Sequence, residues 1–232
     1  MSEEVINYYE KIPKKYLTKY HNPHLQEHGI KVPFRMLIVG SSGSMKTNTA
    51  RNIISKMKDT FGNIKVICRN SAEPIYEDLM RKIPHEQLQI TEGLKDFPNL
   101  DNPKDFHPQV QHLVIFDDLV MMKNQEPICE FFIRARKIAK GVSCMYLTQS
   151  YFQTNIMIRK NVNYIILKKL NNQGDLKRIL KEYDLGVNAD TLLKMYQHAV
   201  DGSKTDFLLI DVDAPPERRF RKNFTEVLHP EQ

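Results

Sequence analysis

The sequence contains no long hydrophobic run. Its longest apolar stretches fall well short of the roughly 18 residues that a membrane-spanning helix needs, so we expect no membrane span. The opening segment, MSEEVINYYEKIPKKY, also lacks the apolar core of a secretory signal. These absences predict a soluble intracellular protein.

Cysteine is scarce as well. Cys68, Cys129 and Cys144 stand far apart and form no C-x-x-C pair, and two of them lie in apolar runs. This pattern predicts free, buried thiols in a reducing compartment. The eight histidines show no spacing typical of metal ligands, which argues against a zinc site. Internal repeats and low-complexity tracts are also missing.

What remains suits a folded domain with a real core. The chain has 232 residues, of which 41% are hydrophobic and 27% charged, so it is not an intrinsically disordered protein. Its formal charge of +6 is compatible with a polyanionic partner, although many proteins carry such a charge for solubility alone.

Residues 1–33 are polar and contain three prolines, which predicts an N-terminal arm or capping segment, followed by one domain over 34–232. The domain contains short apolar runs whose continuous apolarity is typical of strands covered on both faces. These runs are RMLIVG (35–40), IKVICR (64–69), HLVIFD (112–117), SCMYLT (143–148), NYIILK (163–168) and DFLLID (206–211).

Helical periods separate the runs. Apolar residues recur at helical spacing over 50–57, 128–139 and 176–183. Pro127 stands at the first turn of the second helix, and Gly62 and Gly141 follow the ends of the first and second. Alternating strands and helices predict an α/β fold with a mainly parallel central sheet flanked by helices.

The stretch LIVGSSGSMKTN follows the first strand and opens the first helix. It matches a phosphate-binding loop, G-x-x-x-x-G-K-[ST], except that Met45 occupies the second glycine position. The candidate nucleotide-binding residues are Gly40, Ser41, Ser42, Gly43, Ser44, Met45, Lys46 and Thr47. Lys46 would reach the β- and γ-phosphates of ATP, and Thr47 would ligate Mg²⁺. The alternative is a polar turn whose serines and glycines only cap the helix.

Met45 raises the question of whether this loop works, since a tight loop here normally needs glycine's conformational freedom. Lys46 and Thr47 are nevertheless in register. We therefore expect weakened or altered nucleotide binding rather than its loss.

Polar residues end two further strands. HLVIFDD closes on Asp117, which would contribute to the Mg²⁺ site, and Asp118, which would orient or deprotonate the attacking water. Such an acidic strand end could also merely cap the next segment. SCMYLTQS exits at Gln149, whose amide would sense the γ-phosphate from a neighbouring strand.

Four stretches together give the chain a family resemblance. LIVGSSGSMKTN, HLVIFDDLV, FFIRARKIAKGVSCMYLTQSYFQT and DFLLIDVDAPPERRFRKNF resemble the poxvirus-type genome-packaging ATPases, the viral branch of the FtsK–HerA superfamily. The resemblance covers about residues 35–227. It implies a RecA-like core of the ASCE type, with Lys46 and Thr47 in Walker A, Asp117 and Asp118 in Walker B, and Gln149 as sensor. Met45 departs from the family's usual glycine.

The resemblance also implies partners. Its members form homo-oligomeric rings that use ATP to drive double-stranded DNA into a preformed capsid at a packaging vertex. A neighbouring subunit's arginine completes each site in ring motors. Arg136 and Arg134 are the first candidates here, with Arg159 behind them, although each could instead lie on a solvated helix face. The implied location is the host-cell cytoplasm or viral factory, with virion association open.

Basic stretches could track DNA phosphates without reading bases. They are RARKIAK (134–140), the pair at 168–169 and RRFRK (218–222). Two functional alternatives remain at this stage. One is a degenerate P-loop module that binds DNA or capsid without hydrolysis, and the other is a small-molecule nucleotide kinase.

Overall fold

The computed structural model describes residues 5–94 and 96–230. Its centre is a nine-stranded sheet with the order β3-β2-β4-β5-β1-β6-β7-β8-β9. The strands are β1 Arg35–Val39, β2 Asn63–Cys68, β3 Leu88–Glu92, β4 His112–Asp117, β5 Val142–Thr148, β6 Tyr164–Leu167, β7 Leu208–Asp211, β8 Phe220–Lys222 and β9 Glu226–Val227. The first six along the sheet, β3 to β6, pair in parallel, and β7, β8 and β9 are antiparallel.

Helices cover both faces of this sheet. They are α1 Leu25–His28, α2 Lys46–Lys56, α3 Pro74–Lys82, α4 Glu126–Arg134, α5 Ile156–Asn161, α6 Gln173–Glu182 and α7 Ala189–Val200. Apolar residues of α2 and α3 pack in the core on one face, and those of α4 to α7 pack in the core on the other. Double coverage explains why every residue of β4 and β5 is buried.

The six predicted strands are all present, and the predicted fold class is confirmed. The helix expected over 128–139 was predicted too long, because the α-helix ends at Arg134 and the chain continues as a 3₁₀ turn, Ala135–Lys137. Three strands, β3, β8 and β9, and helices α1, α3, α5 and α7 had no sequence prediction. The two strands β8 and β9 comprise 3 and 2 residues, too short to show a period.

The N-terminal segment has two parts. Residues 5–20 are exposed, whereas Ile30 is fully buried in the core. Gln111 binds the backbone of His21 through its side-chain amide, and Arg221 donates to the carbonyl oxygens of residues 28 and 29. Residues 21–33 therefore pack against the domain, while the predicted boundary at residue 33 stays a prediction.

Candidate functional site

The candidate site lies where β1, β4 and β5 end. β5 is hydrogen-bonded to β1 on one side and β4 on the other, so their carboxyl ends share one edge of the sheet. Asp117 is in register with Leu147, and Val39 with Thr148. The loop after β1, the two aspartates at the end of β4 and Gln149 after β5 therefore converge at this edge.

The loop over residues 40–45 turns tightly between β1 and α2. Gly40 has no room for a side chain, because a Cβ there would lie 2.4 Å from Ser44 Oγ and 2.5 Å from Lys168 Cβ. Ser44 N–H donates to the Ser41 carbonyl across 3.1 Å, which closes the turn. The first N–H groups of the helix that follows lack intrahelical acceptors and are suited to anions such as phosphate.

Met45 adopts the left-handed conformation that this turn requires, with φ 64° and ψ 38°. That conformation costs an L-residue about 1–2 kcal/mol, and glycine avoids the cost. Its side chain is 45% exposed, so the penalty comes from the backbone conformation rather than from side-chain packing. The substitution strains the loop without blocking it.

Lys46 lies beneath the loop at the start of α2. Its ammonium donates to the carbonyls of Gly40 at 3.0 Å and Ser41 at 3.2 Å. Burial lowers the pKa of the ammonium, and the negative charges of Asp117, Asp118 and Glu73 oppose that shift. A cation held this close to the loop is well placed to bind phosphate oxygens.

Thr47 and Asp117 are in direct contact. The threonine hydroxyl donates to Asp117 Oδ2 across 2.9 Å, and the Tyr76 hydroxyl donates to the same oxygen. Burial raises the pKa of Asp117, which is 5% exposed, and these two hydrogen bonds oppose the rise. A hydroxyl and a carboxylate side by side are hard oxygen ligands that fit Mg²⁺.

Asp118 and Gln149 also meet. The Gln149 amide donates to Asp118 Oδ1 across 3.3 Å, and the Arg69 guanidinium lies 3.9 Å from Oδ2. Asp118 has φ 55°, and its N–H donates to the Leu147 carbonyl. This backbone anchor turns the carboxylate out of the strand and toward the site.

The candidate arginines lie elsewhere. The segment 134–137 comes shortly before β5 in the chain and so lies at the amino edge of the sheet, opposite the P-loop. Arg134 forms ion pairs with Asp101 and Glu130, and Arg136 is exposed. The positive charge of Arg136 adds to burial in lowering the pKa of Arg35 at the start of β1. Neither arginine reaches the site of its own chain, so a role for either requires a second subunit.

Arg159 is held by the fold. Its guanidinium forms an ion pair with Glu182 at 3.2 Å, donates to the Thr154 carbonyl and lies over the ring of Tyr151 at 4.7 Å. These three contacts indicate that Arg159 stabilises the fold.

The hypothesis that the later basic stretches contact DNA is wrong for two residues. Lys168 is fully buried and donates to the Thr205 carbonyl across 2.7 Å, and burial lowers its pKa to about 8. Arg221 is 7% exposed and pairs with Asp211. These side chains tie the end of β6 and strand β8 to neighbouring segments and cannot contact a nucleic acid.

Three residues that adjoin the site were not predicted from the sequence. Arg69 follows β2 and approaches Asp118, Glu73 precedes α3, and Tyr76 lies in the first turn of α3. Burial and the charges of the two aspartates raise the pKa of Glu73. The one available signal was the position of this segment after a buried strand, with Pro74 opening a helix.

No helix within residues 5–94 and 96–230 combines the length and apolarity needed to cross a membrane.

Comparison with known proteins agrees with this geometry. The family model described as "Poxvirus A32 protein" matches residues 23–213, which is most of the chain. The chain belongs to the poxvirus A32 protein family. Membership confirms the resemblance inferred from the four sequence stretches. No sequence among the curated proteins matches it.

Solved structures share the fold of this family member. The genome packaging NTPase B204 from Sulfolobus turreted icosahedral virus 2, in complex with sulfate, has a TM-score of 0.60 at 15% identity and covers 86% of this chain and 100% of its own. The same NTPase in complex with ATP-gammaS has a TM-score of 0.57 at 15% identity, with 86% and 100% coverage. EssC (ATPases 2 and 3) from Geobacillus thermodenitrificans has a TM-score of 0.53 at 11% identity, with 87% and 40% coverage.

Proposed function

We propose that this family member is a Mg²⁺-dependent ATPase that moves double-stranded viral DNA into a preformed capsid. One observation carries the ATPase part: the two carboxylates at the end of β4 are each engaged by a residue that follows a different strand, one in the first turn of α2 and one just after β5. Thr47 binds Asp117, and Gln149 binds Asp118. Family membership and the names of the B204 structures, a genome packaging NTPase bound to ATP analogues, support the nucleotide and the packaging role.

In this proposal the P-loop and the first turn of α2, residues Gly40 to Thr47, hold the triphosphate. Backbone N–H groups at the start of α2 would donate hydrogen bonds to phosphate oxygens. The Lys46 ammonium would move from the loop carbonyls to the β- and γ-phosphates. Thr47 and Asp117 would hold Mg²⁺, which when bound neutralises charge on the phosphate oxygens.

Asp118 is the proposed base. Its carboxylate would orient the attacking water and accept its proton, while the water oxygen bonds to the γ-phosphorus and the bond to the β–γ bridging oxygen breaks. ADP and inorganic phosphate are the products. Gln149, hydrogen-bonded to Asp118 at 3.3 Å, would respond when the γ-phosphate separates. The segment after it leads directly into α5, which offers a route from hydrolysis to movement.

The proposal also extends to the partners of this protein. We propose a homo-oligomeric ring in which Arg136 or Arg134 of one subunit completes the site of the next, with Asp118 and Lys46 acting within each subunit. Exposed lysines near these arginines would contact DNA phosphates without base specificity. The packaging vertex of the capsid is the proposed docking partner, in the host-cell cytoplasm or viral factory.

The test is the ATP hydrolysis rate of the purified chain, with and without double-stranded DNA, beside Lys46→Ala. Lys58→Ala, which removes an exposed lysine just after the same helix, is the matched control. We expect hydrolysis that requires Lys46, is unchanged by the control and rises with DNA.

Two other outcomes would replace the proposal. Absence of hydrolysis from a chain shown to be oligomeric would favour a non-hydrolysing binding module, for which the strained Met45 is the supporting observation. Phosphoryl transfer to a nucleoside would instead identify a kinase.

A further inference from the structure

The segment that runs from the end of β2 into the first turn of α3, residues 69–76, lines the site beside the P-loop and the end of β4. It approaches both aspartates, since Arg69 lies 3.9 Å from Asp118 and the Tyr76 hydroxyl donates to Asp117. Neither the P-loop nor the Walker B stretch includes this segment. Its side chains therefore add to the site something that those motifs do not supply.

Tyr76 is the most firmly held residue of this segment. Its side chain is 2% exposed, and its N–H donates to the Glu73 carbonyl across 2.9 Å within the first turn of α3. A tyrosine ring has two side-chain torsions, and this ring packs in the apolar core beneath the site. The hydroxyl at its end therefore has a fixed position.

That hydroxyl determines how the Asp117 carboxylate is turned. Hydrogen bonds to the carboxylate from the described residues all go to Oδ2, which accepts from Thr47 at 2.9 Å and from Tyr76. Because one donor lies on α2 and the other on α3, the two hydrogen bonds together fix the rotation of the Asp117 carboxylate. Oδ1 accepts no hydrogen bond from the described residues and is available to a metal ion.

We propose that Tyr76 is a positioning residue for the divalent cation of this site, acting through Asp117. This inference rests on the proposed function, because it concerns the same Mg²⁺. The tyrosine touches neither nucleotide nor metal; it holds the carboxylate so that its free oxygen faces the cation shell. Outer-shell hydrogen bonds of this kind typically contribute about 10- to 100-fold to metal affinity.

A purely structural role is the competing explanation, since a buried tyrosine hydroxyl needs a partner whatever it does for a metal. The two explanations differ in what depends on Mg²⁺. A positioning residue contributes only to the affinity gained when Mg²⁺ is added. A structural residue alters nucleotide binding equally with and without the metal.

The experiment compares wild type with Tyr76→Phe, which keeps the ring and removes the hydroxyl. The affinity for AMP-PNP, a non-hydrolysable ATP analogue, is measured by calorimetry in EDTA and again with Mg²⁺. We expect the variant to match wild type in EDTA and to lose about 10-fold or more of the Mg²⁺-dependent gain. Electron paramagnetic resonance of Mn²⁺ titrated into the nucleotide complex should show the same loss.

Tyr146→Phe is the matched control. Tyr146 is also fully buried and lies on β5 beside Phe116, but its hydroxyl has no hydrogen-bond partner among the described residues. Removing that hydroxyl should change neither affinity. An unchanged Mg²⁺-dependent gain in Tyr76→Phe, or a proportional loss in both conditions, would overturn the inference.

The proposed function can fail separately. If wild-type AMP-PNP binding does not require Lys46, the site itself is misassigned and the role of Tyr76 is overturned with it. If binding requires Lys46 but Tyr76→Phe keeps the full gain, the site stands and only the positioning role is wrong. Should Tyr76→Phe unfold, a fluorotyrosine placed at position 76 keeps the ring and alters only the donor strength of the hydroxyl; a changed Mg²⁺-dependent gain there would support the inference, and an unchanged gain would reject it.

Discussion

The Thr47 hydroxyl donates to Asp117 Oδ2 across 2.9 Å, joining α2 to the end of β4. The strand that precedes α2 is β1, and β1 and β4 are not neighbours because β5 lies between them in the sheet. The contact therefore passes over the end of β5, where Gln149 follows. Every proposed role at the site depends on this arrangement of three strand ends.

Asp118→Asn should abolish turnover while leaving nucleotide affinity nearly unchanged. An amide cannot accept the water proton, and general-base contributions are typically about 10²- to 10⁴-fold. The measurement is kcat for ATP together with AMP-PNP affinity. Glu86→Gln, which neutralises an exposed carboxylate remote from the loop, should keep the wild-type rate. A wild-type kcat in Asp118→Asn would remove Asp118 from the mechanism.

Met45→Gly should raise nucleotide affinity or turnover. Glycine adopts φ 64° without the penalty that methionine carries, so the phosphate-binding shape of the loop would be populated more fully. Removing about 1 kcal/mol of backbone strain corresponds to about a fivefold increase in nucleotide affinity. Met45→Ala retains a Cβ and should show no gain. If titrations show that the two variants behave alike, backbone strain at residue 45 does not limit binding.

Stability should fall in mild acid because of His28. Burial lowers its pKa from 6.5 to about 4, opposed by Glu27 and assisted by the positive charges of His24, Arg221 and Lys56. The unfolded chain therefore binds more protons than the folded chain between these values, and the free energy of unfolding decreases as pH drops from 6.5 towards 4. We expect a loss of about 2 kcal/mol between pH 7 and pH 5 from this group.

The check is urea unfolding of wild type and His28→Asn at both pH values. The asparagine oxygen can accept the Ile30 N–H that His28 Nδ1 accepts at 3.0 Å, and it does not titrate. The free energy of unfolding of wild type should fall relative to that of His28→Asn as the pH drops. An equal pH dependence in both would show that His28 is not the group responsible.

Lys137 and Lys140 should contribute to DNA binding. They lie in the basic segment at the amino edge of the sheet, opposite the P-loop of their own chain. Replacing both with alanine should lower the affinity for double-stranded DNA and reduce the slope of log K against log salt by about 0.9 for each lost phosphate contact. The same charge change at Lys177 and Lys181 on α6 is the control. Equal losses in the two double variants would indicate a general charge effect and no specific surface.

Local patterns were sufficient for much of this protein. The P-loop is a contiguous stretch, and the strands that carry its partners are continuous apolar runs covered on both faces, so the sequence alone predicted β1, β4, β5 and the residues at their ends. Even the positive φ at Met45 follows from its place in the loop. β3 escaped prediction because it is only partly buried, which leaves its apolar pattern weak.

Tertiary structure alone decided which distant residues meet. Tyr76 and Asp117 are 41 positions apart, and Gln149 and Asp118 are 31 apart, so their contacts depend on strand order and on the packing of α3. Burial likewise turned Lys168 inward, although its sequence neighbourhood suggested a surface cation. Side-chain direction and long-range pairing arise from packing the whole chain, whereas strands, helices and loops are set largely by neighbours along it.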